Sequence, residues 1–229
     1  MSTATAKKAG EERFLRPLHS IEELMNGRGY TLHNGNFIFK NEEGGYTIAD
    51  VAGDREYTVD DYMKLPESAP FQLIDGKLIF IPSPKDIHQA ISIHLATLVY
   101  LFVSKHKLGI VRNAPLDVYF DEINVFQPDL LFISNERKHI LKDWVYGAPD
   151  LMVEIISKGT ASFDKKQKME TYGKYGVLEY WLIDPEKKSL QLFGNQANKM
   201  VELGKLGIGQ SLKSKVLTGF EFEISELFA

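Results

Sequence analysis

Apolar residues return every third or fourth position between Lys85 and Lys107, at Ile87, Ile91, Leu95, Leu98 and Phe102, and Gly109 follows them. That period predicts a principal helix over 85–107, stopped by the glycine and long enough to lie across a sheet. On both sides of it the pattern shortens to strand-like runs bounded by turn residues. "FQLIDGKLIFIP" reads as two strands joined at Asp75-Gly76, the strongest short hairpin signal in the chain, and "TVDDYMKL" before it as a short helix capped by Thr58. Beyond the principal helix, "IVRNAPLDVYF", "VFQPDLLFIS" and "DLMVEIIS" each read as a strand, with a loop or short helix around 136–146. A helix over about 161–175 ends at Gly176, and "LEYWLIDP" is a further strand. The remainder reads as short antiparallel strands, with "SELFA" helical at the end.

The first 55 or so residues separate from this pattern. A polar tail runs to about Gly10, "SIEELMNG" predicts a short helix with Ser20 as N-cap and Glu23 in the capping-box position, and a pair of hairpins follows with turns at Asn34-Gly35 and Gly44-Gly45. The expected organisation is an N-terminal, partly flexible, hairpin-rich extension over 1–55 and a main domain over 56–229. Strands with helices between some of them predict an α/β (α+β) fold, a mixed sheet with helices packed on it.

Composition narrows the function more than the fold. The 229 residues are 44% hydrophobic and 25% charged with a formal net charge of −4, ordinary for a globular protein. The absence of cysteine excludes disulfides, thiolate metal sites and a cysteine nucleophile. The N-terminus lacks an apolar leader and the longest apolar run, "ISIHLATLVYLFV", is interrupted by His94, so a cytoplasmic protein with no membrane segment is expected. Phosphate-binding loop, His-Glu-x-x-His and Gly-x-Ser-x-Gly motifs are missing, and the six histidines (19, 33, 88, 94, 106, 139) have no metal-ligand spacing.

What remains is carboxylates on apolar strands. Glu154 shares a strand face with Met152 and Ile156, while Leu151, Val153 and Ile155 take the other, so neither face is freely solvated. An unpaired carboxylate there is disfavoured by several kcal/mol or is driven neutral, and a cation removes that penalty. Asp129 follows Pro128 on another apolar strand, where proline disrupts pairing and exposes the next side chain. If the strands are neighbours, Asp129 and Glu154 converge on one hard cation such as Mg²⁺, with the carbonyl of Ile155 as a further ligand. The competing reading is that Pro-Asp begins a turn and Glu154 pairs with a nearby lysine or arginine.

Asp164, Lys168 and Tyr172 fall at i, i+4 and i+8 and share a helix face. Lys168 can then aim at a single target, where its ammonium would orient a water and stabilise charge developing on phosphate. The alternative is an ordinary Asp-to-Lys helix pair on a solvated surface. Five lysines (158, 165, 166, 168, 174) against Asp164 and Glu170 give this segment a local excess of +3, a candidate phosphate-backbone patch.

Together, "FQLIDGKL", "SPKDIHQ", "APLDVYF", "QPDLLFIS", "GAPDLMVEIIS" and "DKKQKMETYGKYGVLEYWLIDP" stand in the order and spacing of a known family. Over about Thr58 to Phe193 the chain resembles the Uma-two family of restriction-endonuclease-like proteins, a branch of the PD-(D/E)XK nuclease superfamily. The resemblance implies a restriction-endonuclease-like sheet flanked by helices, a Mg²⁺ (or Mn²⁺) site and hydrolysis of DNA phosphodiesters, often by dimers, so a homodimer is expected. It carries Asp129 and Glu154 over as metal ligands. The superfamily's usual lysine would stand at Ile156, and Lys168 substitutes for it from the next helix. Gln72 and Lys77 replace two glutamates of the family's first hairpin, which removes one charge from the site's edge at Gln72. His88 matches a histidine common in the pattern and, with Lys158, Lys165 and Lys166, is a candidate DNA contact. The expected activity is that of an Mg²⁺-dependent endodeoxyribonuclease with Asp129, Glu154, Lys168 and Gln72 at the centre. The alternative is a catalytically weakened nuclease-fold module that binds DNA or a protein partner without cutting.

Overall fold

A computed structural model describes residues 30–33, 36–40, 46–50, 56–65, 69–81, 83–157 and 164–228. The chain divides into two compact units, Met1–Ile81 with Glu122–Asn124, and Pro82–Asp121 with Val125–Ala229.

In the first unit β1 (Tyr30–His33), β2 (Asn36–Lys40) and β3 (Tyr46–Asp50) form an antiparallel meander, the arrangement the two glycine turns predict. The turn residues themselves and the helix expected at "SIEELMNG" lie outside the described residues. α1 (Val59–Tyr62) starts at Thr58, whose backbone N–H and hydroxyl donate to the Asp61 carboxylate at 3.2 and 3.3 Å. β4 (Phe71–Ile74) and β5 (Lys77–Phe80) pair around Asp75 and Gly76 at φ +48° and +72°, the left-handed backbone that a two-residue hairpin turn demands. The side-chain oxygen of Asn124 accepts the Asp75 N–H at 3.0 Å and holds this turn. Gln72 lies on β4 opposite Ile79; it is buried, and its Oε1 has no hydrogen-bond partner among the described residues.

The second unit opens with α2 (Asp86–His106), then β6 (Gly109–Asn113), β7 (Val118–Asp121), β8 (Asn124–Phe126) and β9 (Leu130–Ser134). A 3-10 turn over Asn135–Ile140 leads to β10 (Val145–Tyr146) and β11 (Leu151–Ile155). A π-helical turn, Asp164–Lys168, continues into α3 (Met169–Tyr175), which ends at Gly176 with φ +87°. Then come β12 (Glu179–Asp184), β13 (Ser189–Gln196), β14 (Lys199–Gly207), β15 (Ser211–Lys213) and β16 (Glu221–Glu223), with Ile224–Phe228 a final 3-10 turn.

A six-stranded mixed sheet in the order β14-β13-β12-β11-β9-β6 is the frame of this unit, with β11 parallel to β12 and antiparallel to β9. Ile91, Leu95, Val99 and Val103 recur at helical spacing on α2 and enter one core with Leu130, Phe132, Leu151, Val153, Ile155, Trp181 and Ile183. Each such side chain contributes about 1.5–3 kcal/mol by leaving water. By length and composition alone α2 could cross a membrane; Ile91, Leu95, Val99 and Val103 enter this core, whereas Ile93, Tyr100 and Leu101 are exposed. On the other face of β11, Met152 and Glu154 are equally buried.

Three local expectations change. "IVRNAPLDVYF" is two strands, β6 and β7, divided at Ala114–Pro115 and lying in different sheets. "VFQPDLLFIS" is likewise divided at Pro128 into β8 and β9, because proline has no N–H to give a ladder. The principal helix is stopped by Lys107, which takes the left-handed conformation at φ +56°. Gly109 instead begins β6, where a Cβ would lie 2.1 Å from the Ile133 carbonyl oxygen, so the glycine serves close strand approach.

Candidate active site

β9 and β11 are neighbours, as convergence of the two carboxylates requires. Their register pairs Leu130 with Val153, so the next step along both strands sets Asp129 opposite Glu154. There the ladder is completed by a side chain: the Ile155 N–H donates to Asp129 Oδ2 at 2.7 Å. Upstream, the Asp129 carbonyl accepts the Ala114 N–H at 3.1 Å. Pro128 ends the regular pairing, and Asp129 is left at the end of β11 with its carboxylate turned onto the backbone that carries Glu154.

Lys168 is not on a solvated surface. It is 1% exposed, and its Nζ lies 2.8 Å from Glu154 Oε1, itself on a residue 4% exposed. The Tyr172 hydroxyl donates to the same oxygen at 2.7 Å. One turn of helix separates Lys168 from Tyr172, so a single helix face delivers an ammonium and a phenol to one carboxylate oxygen. Tyr172 is held in turn by an aromatic cluster with Phe120, Phe126 and Tyr180, and the Lys168 ammonium lies 6.0 Å from the centre of the Phe126 ring. The lysine partner of Glu154 is therefore Lys168, brought by the following helix.

His88 sits in the first turn of α2 and is turned inward. Its Nε2 lies 3.3 Å from Asp129 Oδ1, and 14% of its side chain is exposed. Burial pushes its pKa down, but the hydrogen bond and charge of Asp129, the charge of Glu154 and the backbone of Ile155 outweigh this and raise it above the ordinary histidine value. Of the lysines proposed to contact DNA, Lys166 is exposed, Lys158 is outside the described residues, and the side chain of Lys165 is not described. Gln72 belongs to the first unit.

No group of three or more His, Asp or Glu side chains forms a ready metal cage among the described residues. The donors at the end of β11 are nonetheless of the kind a hard divalent ion takes: two carboxylates in register and the Ile155 peptide, the remaining positions being left to water and phosphate. The residues fit an open two-carboxylate site rather than a closed one. A cavity of about 740 Å³ opens elsewhere, lined by Arg137, Asp150, Glu179 and Lys215 among others, and contains none of Asp129, Glu154 or Lys168. In its lining Arg137 pairs with Asp150 at 3.4 Å and donates to the Ala148 and Gly176 carbonyls.

Sequence reasoning singled out Asp129, Glu154 and Lys168 and set Tyr172 on the face of Lys168. It did not anticipate that Tyr172 binds Glu154 or that His88 binds Asp129. The four-residue step from Lys168 to Tyr172 was the available signal for the first; nothing local signals the second.

The mixed sheet with α2 packed across it is a restriction-endonuclease-like fold. It is similar to the crystal structure of "a putative nuclease belonging to DUF820" from Anabaena variabilis ATCC 29413, with a TM-score of 0.64 and 22% identity over 75% of this chain and 97% of that one. The profile of the Uma2 family, described as "Putative restriction endonuclease", matches residues 59–225, and the chain belongs to that family. It is also 30% identical over 139 residues to the uncharacterized protein sll1609 of Synechocystis sp. (strain PCC 6803), covering 58% of this chain and 78% of that protein.

Proposed function

We propose that this protein is a divalent-metal-dependent nuclease that hydrolyses DNA phosphodiester bonds, with Mg²⁺ or Mn²⁺ held by Asp129, Glu154 and the Ile155 carbonyl. The observation that carries this reading is the arrival of the Lys168 ammonium from the following helix at Glu154, beside Asp129. When bound, the ion supplies Lewis acidity toward a phosphoryl oxygen and lowers the pKa of a water. Glu154 and Asp129 bind and orient it. Lys168, buried and fixed, stabilises negative charge that grows on the phosphate and orients the attacking water. Tyr172 donates to the same Glu154 oxygen that Lys168 pairs with and so helps to hold that carboxylate in one rotamer. Exposed Lys166 beside this helix contributes to phosphate-backbone contact. Cutting both strands of a duplex requires two such centres, which a homodimer would provide.

Incubation of the purified protein with supercoiled plasmid in Mg²⁺ or Mn²⁺ tests this. Nicking or linearisation that disappears in Asp129→Ala, Glu154→Ala and Lys168→Ala is expected; cleavage unaffected by Glu154→Ala, or none with any divalent ion, counts against it.

A second reading has its own support. Glu154 is already compensated by Lys168 and Tyr172 without a metal, as suits a nuclease-fold module that binds DNA or a protein partner without cutting. DNA affinity that survives both chelation and Glu154→Ala, with no cleavage, would favour it.

A further inference from the structure

α2 is apolar on two sides. Its inner side packs on the sheet through Ile91, Leu95, Val99 and Val103, yet between Asp86 and Lys105 no acidic residue, lysine or arginine interrupts the outer side either. A helix that lies on a sheet in water carries its charges on the outer side, and one that is apolar all round is covered on both. On the outer side Ile93, Tyr100 and Leu101 are 62%, 58% and 60% exposed, with Ile87 on the flank at 46%. The Thr97 hydroxyl in their midst donates to the Ile93 carbonyl at 2.8 Å, so covering it strands no polar group. Large apolar side chains gathered on one exposed face mark an interaction surface, which scattered ones do not.

We propose that this face pairs with the same face of a second copy, α2 against α2 in antiparallel, and that the protein is a two-fold dimer through it. The occupant is read from the order of side-chain sizes. At alternating three- and four-residue steps along the outer side stand Asp86, Ala90, Ile93, Thr97, Tyr100 and Ser104, small and large in turn from Ala90 onward. In an antiparallel pair about a two-fold axis at the level of Leu95, Ala90 meets Tyr100 of the second copy and Ile93 meets Thr97 of the second copy. Each large side chain then lies against a small one, and each contact occurs twice, as an isologous interface requires. A parallel pair would instead set Tyr100 on Tyr100 and leave a gap at Ala90. On the flank Ile87 meets Leu101 of the second copy. Charge agrees with size: Asp86 is in the first turn and Lys105 in the last, so the antiparallel pair sets a carboxylate beside an ammonium at both ends, and a parallel pair would set like charges together. Such exposed pairs add little affinity and chiefly fix direction. The inference goes beyond the nuclease reading and does not rest on it.

Light scattering of the wild type on a sizing column at micromolar concentration is expected to give the mass of a dimer. Tyr100→Lys combined with Leu101→Lys puts two cations on the exposed face without touching the core, and should weaken self-association by at least about a hundredfold and give a monomer with an unchanged circular dichroism spectrum. Asp86→Lys and Lys105→Asp should each weaken the dimer by about threefold and together restore it. Because the chain has no cysteine of its own, register is read by crosslinking. Ala90→Cys co-expressed with Tyr100→Cys is expected to give a heterodimer linked by a short bis-maleimide, while neither variant links to itself. A monomeric wild type overturns the inference, and flotation of that monomer with phospholipid vesicles would show that the face meets lipid instead. A dimer that survives the two lysines overturns the surface, and self-linking of Ala90→Cys overturns the antiparallel arrangement. None of these readouts depends on cleavage, so each reading can fail without the other.

Discussion

Two carboxylates are buried at opposite ends of one parallel strand pair, and they are satisfied in opposite ways. Glu179, opposite Leu151 at the start of β12, is 1% exposed. Its Oε1 accepts from Trp181 Nε1 at 2.7 Å and from the Ser214 hydroxyl at 2.8 Å, and its Oε2 accepts the Lys215 and Val216 N–H groups at 2.8 and 3.3 Å. All four donors are neutral, and two are backbone. Glu154, at the other end, takes an ammonium and a phenol on one oxygen and stands beside a second carboxylate and a histidine. The comparison teaches that burial alone does not tell two carboxylates apart; their partners do. Glu179 ties the loop after β15 to the sheet through groups that cannot be exchanged, whereas the partners of Glu154 are side-chain groups that can share it with a metal ion.

If that distinction holds, the two carboxylates should fail differently when removed. The largest contrast is expected in cleavage: Glu154→Ala should reduce the rate by at least about a thousandfold, while Glu179→Ala leaves the activity of the folded fraction within about threefold. Plasmid nicking, normalised to folded protein, measures both. Next is stability. Glu179→Ala strands four donors, two of them buried, and should lower the unfolding free energy in urea by about 2–4 kcal/mol, and Glu154→Ala, which leaves a buried ammonium without its anion, by about 3–5 kcal/mol. Glu154→Met paired with Lys168→Met should recover most of the second loss but none of the activity. Recovery failing in that double variant would mean the pair is not what burial requires there.

Tyr172→Phe removes one hydrogen bond to a charged acceptor and keeps the ring in its aromatic cluster, so a loss of about 1.5–3 kcal/mol is expected. A larger change in cleavage than in stability would show that fixing the Glu154 rotamer matters to chemistry. The smallest effect is the pH response of the metal-free protein. The pKa of His88 is raised on folding, so the stability it contributes is fully present below about pH 6.5 and is lost as pH rises through the higher folded-state value. Thermal melts with chelator from pH 5.5 to 8.5 should show this decline in wild type and not in His88→Gln; parallel profiles would refute it.

Much of this molecule was legible before its structure. The left-handed Asp75-Gly76 turn, the α2 stripe and the buried strand bearing Glu154 all follow from patterns a few residues long, because turn chemistry and periodicity act locally. Two carboxylates each out of place on an apolar strand suggested Asp129 and Glu154 as a pair only if their strands were neighbours, which the β9–β11 register shows them to be. Other features were misread for the same local reason. Gly109 looks like a helix stop in sequence and is a strand residue against Ile133, and Glu179 looks unremarkable at the head of "LEYWLIDP" although it collects donors from 35 to 37 residues away.

By itself the sequence determined most of the elements, the family and the residue types that can hold a divalent ion. Only the tertiary structure decided that Lys168 and Tyr172 share one oxygen of Glu154, that His88 turns inward to Asp129, and that Glu179 gathers four neutral donors. The reason is that periodicity is written within a few residues, whereas the partner of a buried charge is chosen by strand register and helix placement, and these bring together groups that the chain keeps far apart.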